Sequence, residues 1–295
     1  MPRLSIGMPV YNGEPFLAEA LDSILGQTFG DFEVIISDNA STDSTQDICR
    51  MYMARDARIR YCRNETNLGA ARNYNRVFDL SSGEYFKWAA ADDVCAPEYL
   101  ARCVAVLDKQ PEVILCYPRT TIIDAHGTVI RPYEDGLDLR SPSVSHRFRW
   151  AINRTGECNA VFGVIRANVL RRTPLIGNYP ASDRVLLVDL TLYGQFCEVP
   201  ERLFFRRQHA RASSSDRSLQ SVQEFFDPTT KGQIFMFAWK HLSQNLASIR
   251  RAPLTPSEKI MLICIVIRRG IGRRHHLVNE PLQALGHIVR KILTA

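Results

Sequence analysis

Several things missing from this 295-residue chain narrow its chemistry. Its eight cysteines, at 49, 62, 95, 103, 116, 158, 197 and 264, form no Cys-x-x-Cys pair, so the spacing of a structural zinc site is absent. Scattered through apolar runs, they read as reduced core thiols of a cytosolic protein. No apolar run approaches the roughly 20 residues that cross a bilayer. The longest, residues 260–267, falls well short. No secretory signal is visible: the apolar run after Arg3 is broken by Pro9, Asn12 and Glu14, so the mature fold is expected to begin at Met1. No Gly-x-Gly-x-x-Gly follows the first apolar run and no Gly-x-x-x-x-Gly-Lys-Ser/Thr occurs, which excludes the usual dinucleotide-binding and P-loop enzymes. Internal repeats and low-complexity segments are also missing.

The composition is that of a soluble globular protein, 45% apolar and 23% charged. The length allows one large domain, or one domain with an appendage. Charge is unevenly placed. Residues 230–295 carry 11 Lys/Arg against 2 acidic residues, a net of +9, while the whole chain is only +6. A basic tail behind a mildly acidic body suggests contact with an anionic surface, or a solvated helix face.

The first 125 residues alternate strand and helix signals. Strands are expected at Leu4–Val10, 32–36, 58–63, 85–90 and 113–117. Between them lie helical patterns at 15–27, after a cap at Ser41 or Thr42, at 69–80 and at 97–109. Such alternation predicts right-handed βαβ units and a mainly parallel sheet, with ligands bound at the carboxyl ends of the strands. Three polar clusters fall at those ends: Tyr11-Asn12, Asp38-Asn39 and Asp92-Asp93. The last pair is the oddest, because two adjacent like charges end an apolar run and need a cation or water to neutralise them. Residues 126–155 lose the pattern and read as irregular, with a short helix near 146–152. A strand at 160–165, helices near 168–172 and 183–193, and a strand at 203–206 follow. After the serines at 213–215, a helical tail is expected at 233–249 and 257–269.

Four blocks in order resemble those of family 2 glycosyltransferases. They are Pro9-Val10-Tyr11-Asn12, then Ser37-Asp38-Asn39-Ala40-Ser41-Thr42-Asp43, then Asn67-Leu68-Gly69-Ala70-Ala71-Arg72-Asn73, then Ala91-Asp92-Asp93. The resemblance covers roughly residues 3–210. It implies a GT-A-type (Rossmann-like) α/β domain over residues 1–225, with residues 226–295 as a basic helical tail. It also implies transfer of a sugar, with inversion, from a nucleoside-diphosphate donor (a UDP-sugar favoured) to a hydroxyl of a glycan or lipid-linked saccharide. Mg²⁺ or Mn²⁺ would assist.

Residue by residue, the resemblance puts Pro9, Tyr11, Asn12, Glu14, Asn67 and Gly69 around the donor nucleotide. Asp38 would accept from the uracil N–H, although an Asx turn fits it too. Arg72 would lie near the phosphates, or be a plain surface arginine. Asp92 would ligate the metal with Asp93 in support at the donor, the alternative being a turn with two solvated acids. His209 would reach the metal or the diphosphate, or be a loop histidine. Asp183 would be the catalytic base, or simply an N-cap, with Asp189 as the fallback base. Residues 155–163 would floor the acceptor pocket or form a core strand. The chain departs from the family at Asn39, at Ala90 and at Ser182, where relatives carry acidic residues. Those departures keep open a nucleotide-sugar-binding partner without activity. A nucleotidyltransferase is the third reading, lacking its Gly-rich loop. The tail would place the protein on the cytoplasmic face of an anionic membrane. Nucleic-acid binding is not expected, since no known module accompanies the basic residues.

Overall fold

A computed structural model describes residues 1–154, 156–210, 219–230, 235–272, 274, 275, 277–282 and 285. Thr155, the serines at 213–215, Gln233, Arg273, His276 and His287 lie outside the described residues. The chain opens as the alternation predicts: β1 (Leu4–Val10), α1 (Leu17–Leu25), β2 (Phe32–Asp38), α2 (Thr45–Arg55), β3 (Ile59–Arg63), α3 (Ala70–Asp79) and β4 (Tyr85–Trp88). All residues of β1 and β2 are buried, because helices cover both faces of the sheet.

The middle of the chain runs through β5 (Val94–Cys95), α4 (Tyr99–Lys109), β6 (Val113–Ile123), β7 (Val129–Tyr133), α5 (Val144–Asn153), β8 (Val164–Arg166), α6 (Ala167–Leu170), α7 (Ser182–Leu190) and β9 (Gln195–Arg207). Then come α8 (Leu219–Phe226), α9 (Phe237–Arg251) and α10 (Pro256–Gly272). Among the described residues the strands form one sheet in the order β3-β2-β1-β4-β8-β6-β9-β5, with β7 on β6. β3, β2, β1 and β4 run parallel. β8 inserts antiparallel between β4 and β6, and β9 then runs parallel to β6, so the class is α/β but the second half of the sheet is mixed.

β1 has β2 on one side and β4 on the other. The chain runs outward from β1 through β2 to β3 and then crosses back through α3 to β4, so α1 and α3 pack on opposite faces. One core lies with α1, α2 and α4; the other with α3, α5, α7, α9 and α10. This divergence opens a crevice beyond the carboxyl ends of β1 and β4.

Three local expectations are corrected, and the expected C-terminal helices are seen to pack on the body of the protein. α2 starts at Thr45, because Ser41 and Thr42 are committed to the β1–α1 loop: Asn12 N–H donates to Ser41 Oγ at 2.9 Å and Thr42 N–H to Asn12 Oδ1 at 2.8 Å. The strand expected at 160–165 is a 3₁₀ turn (Asn159–Phe162) followed by the short β8. Cys158 turns the chain with φ 60° and the buried Asp135 carboxylate accepts the Ala160 N–H at 2.7 Å. Burial pushes the Asp135 carboxyl up to about 6. β7 was hidden by its own Pro132, and its exposure fits an edge strand. The helices of the expected tail share the main core, with Ile249, Ala252, Leu262 and Val266 all buried in it. All eight cysteines are free thiols and six are buried.

Candidate active site

The crevice holds a cleft of about 360 Å³. Its floor is the end of β1 and the loop after it. Asn12 sits there at φ 52°, a conformation asparagine tolerates better than most residues. Its amide oxygen caps the Thr42 N–H, while Gly13 N–H donates to Thr45 Oγ1 at 2.9 Å. Pro9, Tyr11 and Asn12 line the cleft. Glu14 does not: it is exposed and accepts the Ser44 N–H at 3.1 Å, fastening the β1–α1 loop to the β2–α2 loop.

Asp38 is also off the cleft. It is fully buried, and its Oδ1 accepts the Ser41 N–H at 2.8 Å. Its Oδ2 accepts the Tyr61 hydroxyl at 2.8 Å and Arg63 Nη1 at 3.1 Å. Both oxygens of this carboxylate are thus engaged in shaping the loop. Asn39, the next residue, does line the cleft. Its side chain accepts the Leu68 N–H at 2.9 Å and donates to Asn67 Oδ1 at 2.7 Å. Asn67 Oδ1 in turn accepts the Gly69 N–H at 2.9 Å. Asn64 and Asn73 extend this amide network inward to Ser37. Sequence reasoning missed Asn64 because nothing in its neighbourhood marks a site.

Gly69 enters α3 at φ 83°, and an added Cβ would stand 2.6 Å from the Phe226 carbonyl oxygen. Only glycine meets both demands. Arg72, one turn later, is exposed and does not line the cleft; its charge falls on Asp227.

Asp92 and Asp93 separate. Asp92 lines the cleft, and its Oδ2 lies 2.9 Å from His209 Nε2, which also lines it. Phe16 packs against the imidazole, ring centroids 4.6 Å apart. Asp93 turns inward, buried, and accepts the Arg207 N–H at 2.9 Å, so it supports the site without facing the donor. Burial, then the Asp92 charge, pushes the Asp93 carboxyl up to about 7. Arg207 was invisible to sequence reasoning. Buried on β9, it donates to the Asp92 carbonyl at 2.9 Å and to Glu19 at 2.6 Å, locking the turn that presents Asp92.

Asp183 stands in the first turn of α7, inside the helix; the cap position is Ala181, at φ 58°. Burial pushes its carboxyl up, with the Arg184 N–H and the Arg184 and Arg206 charges opposing. Asp183 does not line the cleft itself, but its charge reaches Tyr74, which does. The Tyr74 phenol is pushed up by burial and then by Asp92, Asp93 and Asp183, so it marks where the fields of the three carboxylates overlap. Asp189 is no rival base: it is buried beneath α9 with Arg251 Nη2 at 2.7 Å.

Among the described residues no cluster of three His, Cys, Asp or Glu side chains could enclose a metal. Asp92 and His209 together offer one carboxylate oxygen and one imidazole nitrogen. That set fits a divalent cation that takes its other ligands from water and a diphosphate.

Known proteins are similar to this chain in sequence and fold. A family model described as glycosyl transferase family 2 matches residues 5–175. The match includes Asp38, Arg72 and Asp92 and ends before Asp183 and His209. The chain is 28% identical to an uncharacterized glycosyltransferase from Haemophilus influenzae, over 72% of this chain and 68% of that one. It is 32% identical to an uncharacterized protein from Mycobacterium bovis, over 70% of this chain and 59% of that one. Among solved structures, S. aureus TarS 1–349 in complex with UDP-GlcNAc superposes with a TM-score of 0.67 at 18% identity, over 92% of this chain and 73% of that one. A Pyrobaculum calidifontis mannosyltransferase in complex with GDP-Man and Mn²⁺ gives a TM-score of 0.55 at 17% identity, over 96% and 87%. At these identities the two structures speak for the fold. The family model spans more than half of the chain and the strands that build the cleft, and the protein therefore belongs to glycosyl transferase family 2.

Proposed function

We propose that this protein is an inverting glycosyltransferase that moves a sugar from a nucleoside diphosphate, UDP favoured, to a hydroxyl of a glycan or lipid-linked saccharide. The observation that carries the reading is the Asp92–His209 pair, which meets at 2.9 Å in the cleft. The donor nucleotide lies over Pro9, Tyr11, Asn12 and the Asn39–Asn67–Gly69 amides, with its diphosphate toward Asp92 and His209. A divalent cation held by these two residues would neutralise charge on the departing diphosphate. Asp183 takes the proton of the acceptor hydroxyl. The freed oxygen bonds the anomeric carbon on the face opposite the diphosphate as the bond to the diphosphate breaks, and the anomeric centre inverts. The upward shift of the Asp183 carboxyl makes it a stronger base than a solvated aspartate.

Among the described residues no helix is long and apolar enough to cross a membrane. α10 nevertheless exposes Ile260, Met261, Ile267 and Ile271 on the side away from its buried Leu262 and Val266. Arg268 and Arg274 are exposed beside them. This combination supports a peripheral seat on anionic lipid at the cytoplasmic face, where a lipid-linked acceptor would be met.

One feature favours a second reading. Ala90 and Ala91 line the cleft beside Asp92 where the family resemblance puts another carboxylate, so the protein could bind donor without consuming it.

The test is nucleoside-diphosphate release from a panel of nucleotide-sugars, with Mg²⁺ or Mn²⁺ and with chelator, membrane extract supplying acceptors. Release from one donor that falls about 10²–10⁴-fold in Asp183→Asn, and comparably in Asp92→Ala, is the expected result. Thermal stabilisation by a donor with no release from any would favour the binding protein.

A further inference from the structure

The cleft has a wall that lies outside the family match. Glu224, Phe225 and Pro228 line it, from α8 and the 3₁₀ turn Pro228–Thr230. This wall rests on the N-terminus of α3: the Phe226 carbonyl, the Asp227 backbone and the Pro228 ring all pack where a Cβ on residue 69 would stand. Between them sits Asp227, 3% exposed. Its Oδ1 accepts the Thr229 N–H at 3.0 Å and the Thr229 hydroxyl at 2.6 Å, which folds the turn. Its Oδ2 accepts Asn178 Nδ2 at 3.0 Å.

Asn178 belongs to the loop that leads into α7 and Asp183. The loop is pinned from three sides. Asn75 of α3 pairs twice with the Ile176 backbone, at 3.0 and 2.9 Å. His241 of α9 meets the Pro180 carbonyl at 3.0 Å. Asp227 holds Asn178. Leu175 and Ala181, near its two ends, stand at φ 61° and 58°, so neighbouring contacts hold the loop in a shape that its own residues disfavour.

We propose that Asp227 is a positioning residue that couples the two halves of the site. Through Asn178 it aims the loop carrying Asp183, and through its backbone at Gly69 it seats the wall against the donor. The coupling to transfer rests on the reading of Asp183 as the base; the coupling to nucleotide does not. Arg72, whose charge acts on Asp227, belongs to this junction.

The experiment uses the full chain with Asn178→Ala, Asp227→Ala, the double variant, and the exchange Asn178→Asp with Asp227→Asn. It reads UDP affinity with Mn²⁺ by calorimetry, kcat and KM on the donor that turns over, and thermal melting. Asn178 does not line the cleft, yet Asn178→Ala is expected to weaken UDP binding about three- to tenfold and lower kcat about tenfold. The double variant should be no worse than Asp227→Ala, and the exchange should recover most of both losses. Wild-type affinity and kcat in Asn178→Ala, or losses that multiply in the double variant, would overturn the coupling. Lower melting with both constants intact would reduce the contact to a structural one and also overturn it. Wild-type kcat in Asp183→Asn would sink the base assignment, whereas a UDP shift in Asn178→Ala would still support the link to the nucleotide wall.

Discussion

Asp92 and Asp93 are neighbours in the bend between β4 and β5, yet one carboxylate lines the cleft and the other lies inside the protein. The sequence showed two adjacent carboxylates after an apolar run; it could not show that Arg207, 115 positions after Asp92, takes the carbonyl of one and the side chain of the other. The same limit explains Asp38 and Arg72. A motif gives residue types in order, while the side each faces depends on partners such as Tyr61 and Arg63, which no local pattern ties to Asp38. The family resemblance named Asp92 and His209 together, and the fold brings them within 2.9 Å at the cleft. Asp135 yields a prediction at this scale. Its carboxyl is raised to about 6 in the folded protein, and its Oδ1 has no hydrogen-bond partner. An acid raised on folding gives its full stabilisation below its unfolded value and loses it as pH climbs through about 6. Asp135→Asn is therefore expected to stabilise the protein by about 2 kcal/mol at pH 8, with the gain vanishing near pH 4. Urea unfolding at the two pH values checks this.

The strands and helices of the first half were readable because each βαβ unit is locally complete: β1, β2 and β4 are rich in apolar residues and buried along their whole length, and α1 is apolar on one side. The later elements depend on distant partners. β5 exists only by pairing with Phe204 and Phe205, and β8 only because it fits between β4 and β6. An apolar run of four to six residues does not say whether it will become a strand or a 3₁₀ turn, and Asn159–Phe162 became the turn. At the start of α3, Gly69 carries a prediction. Alanine there meets both the positive φ and the Phe226 carbonyl, so Gly69→Ala should cost about 2–3 kcal/mol in denaturant unfolding. Because it displaces the wall, it should also weaken UDP binding. Unchanged stability in this variant would mean that α8 does not rest on α3 as described.

Over the whole molecule, the parallel half and the crevice at its switch point followed from the order of elements, while the mixed half and the docking of α9 and α10 required the fold. Charge asymmetry pointed to an anionic partner, and the exposed apolar side of α10 adds the second element that lipid binding needs. Co-sedimentation with vesicles rich in anionic lipid should exceed that with neutral vesicles, weaken from 50 to 500 mM salt on the order of severalfold, and fall in Ile267→Ser/Ile271→Ser. Equal binding to both vesicle types would leave the basic residues without that role. The Asp189–Arg251 pair has a wider consequence. It joins a buried acid of α7 to the end of α9, and removing one member of such a pair costs about 3–5 kcal/mol, toward the lower end here because Arg251 is about a third exposed. The C-terminal helices are therefore tied to the core they pack on. Grafting another relative's C-terminal helices onto this protein would keep its stability only where the graft brings a cation to the spot that Arg251 holds, so those helices can change only together with the acid beneath them.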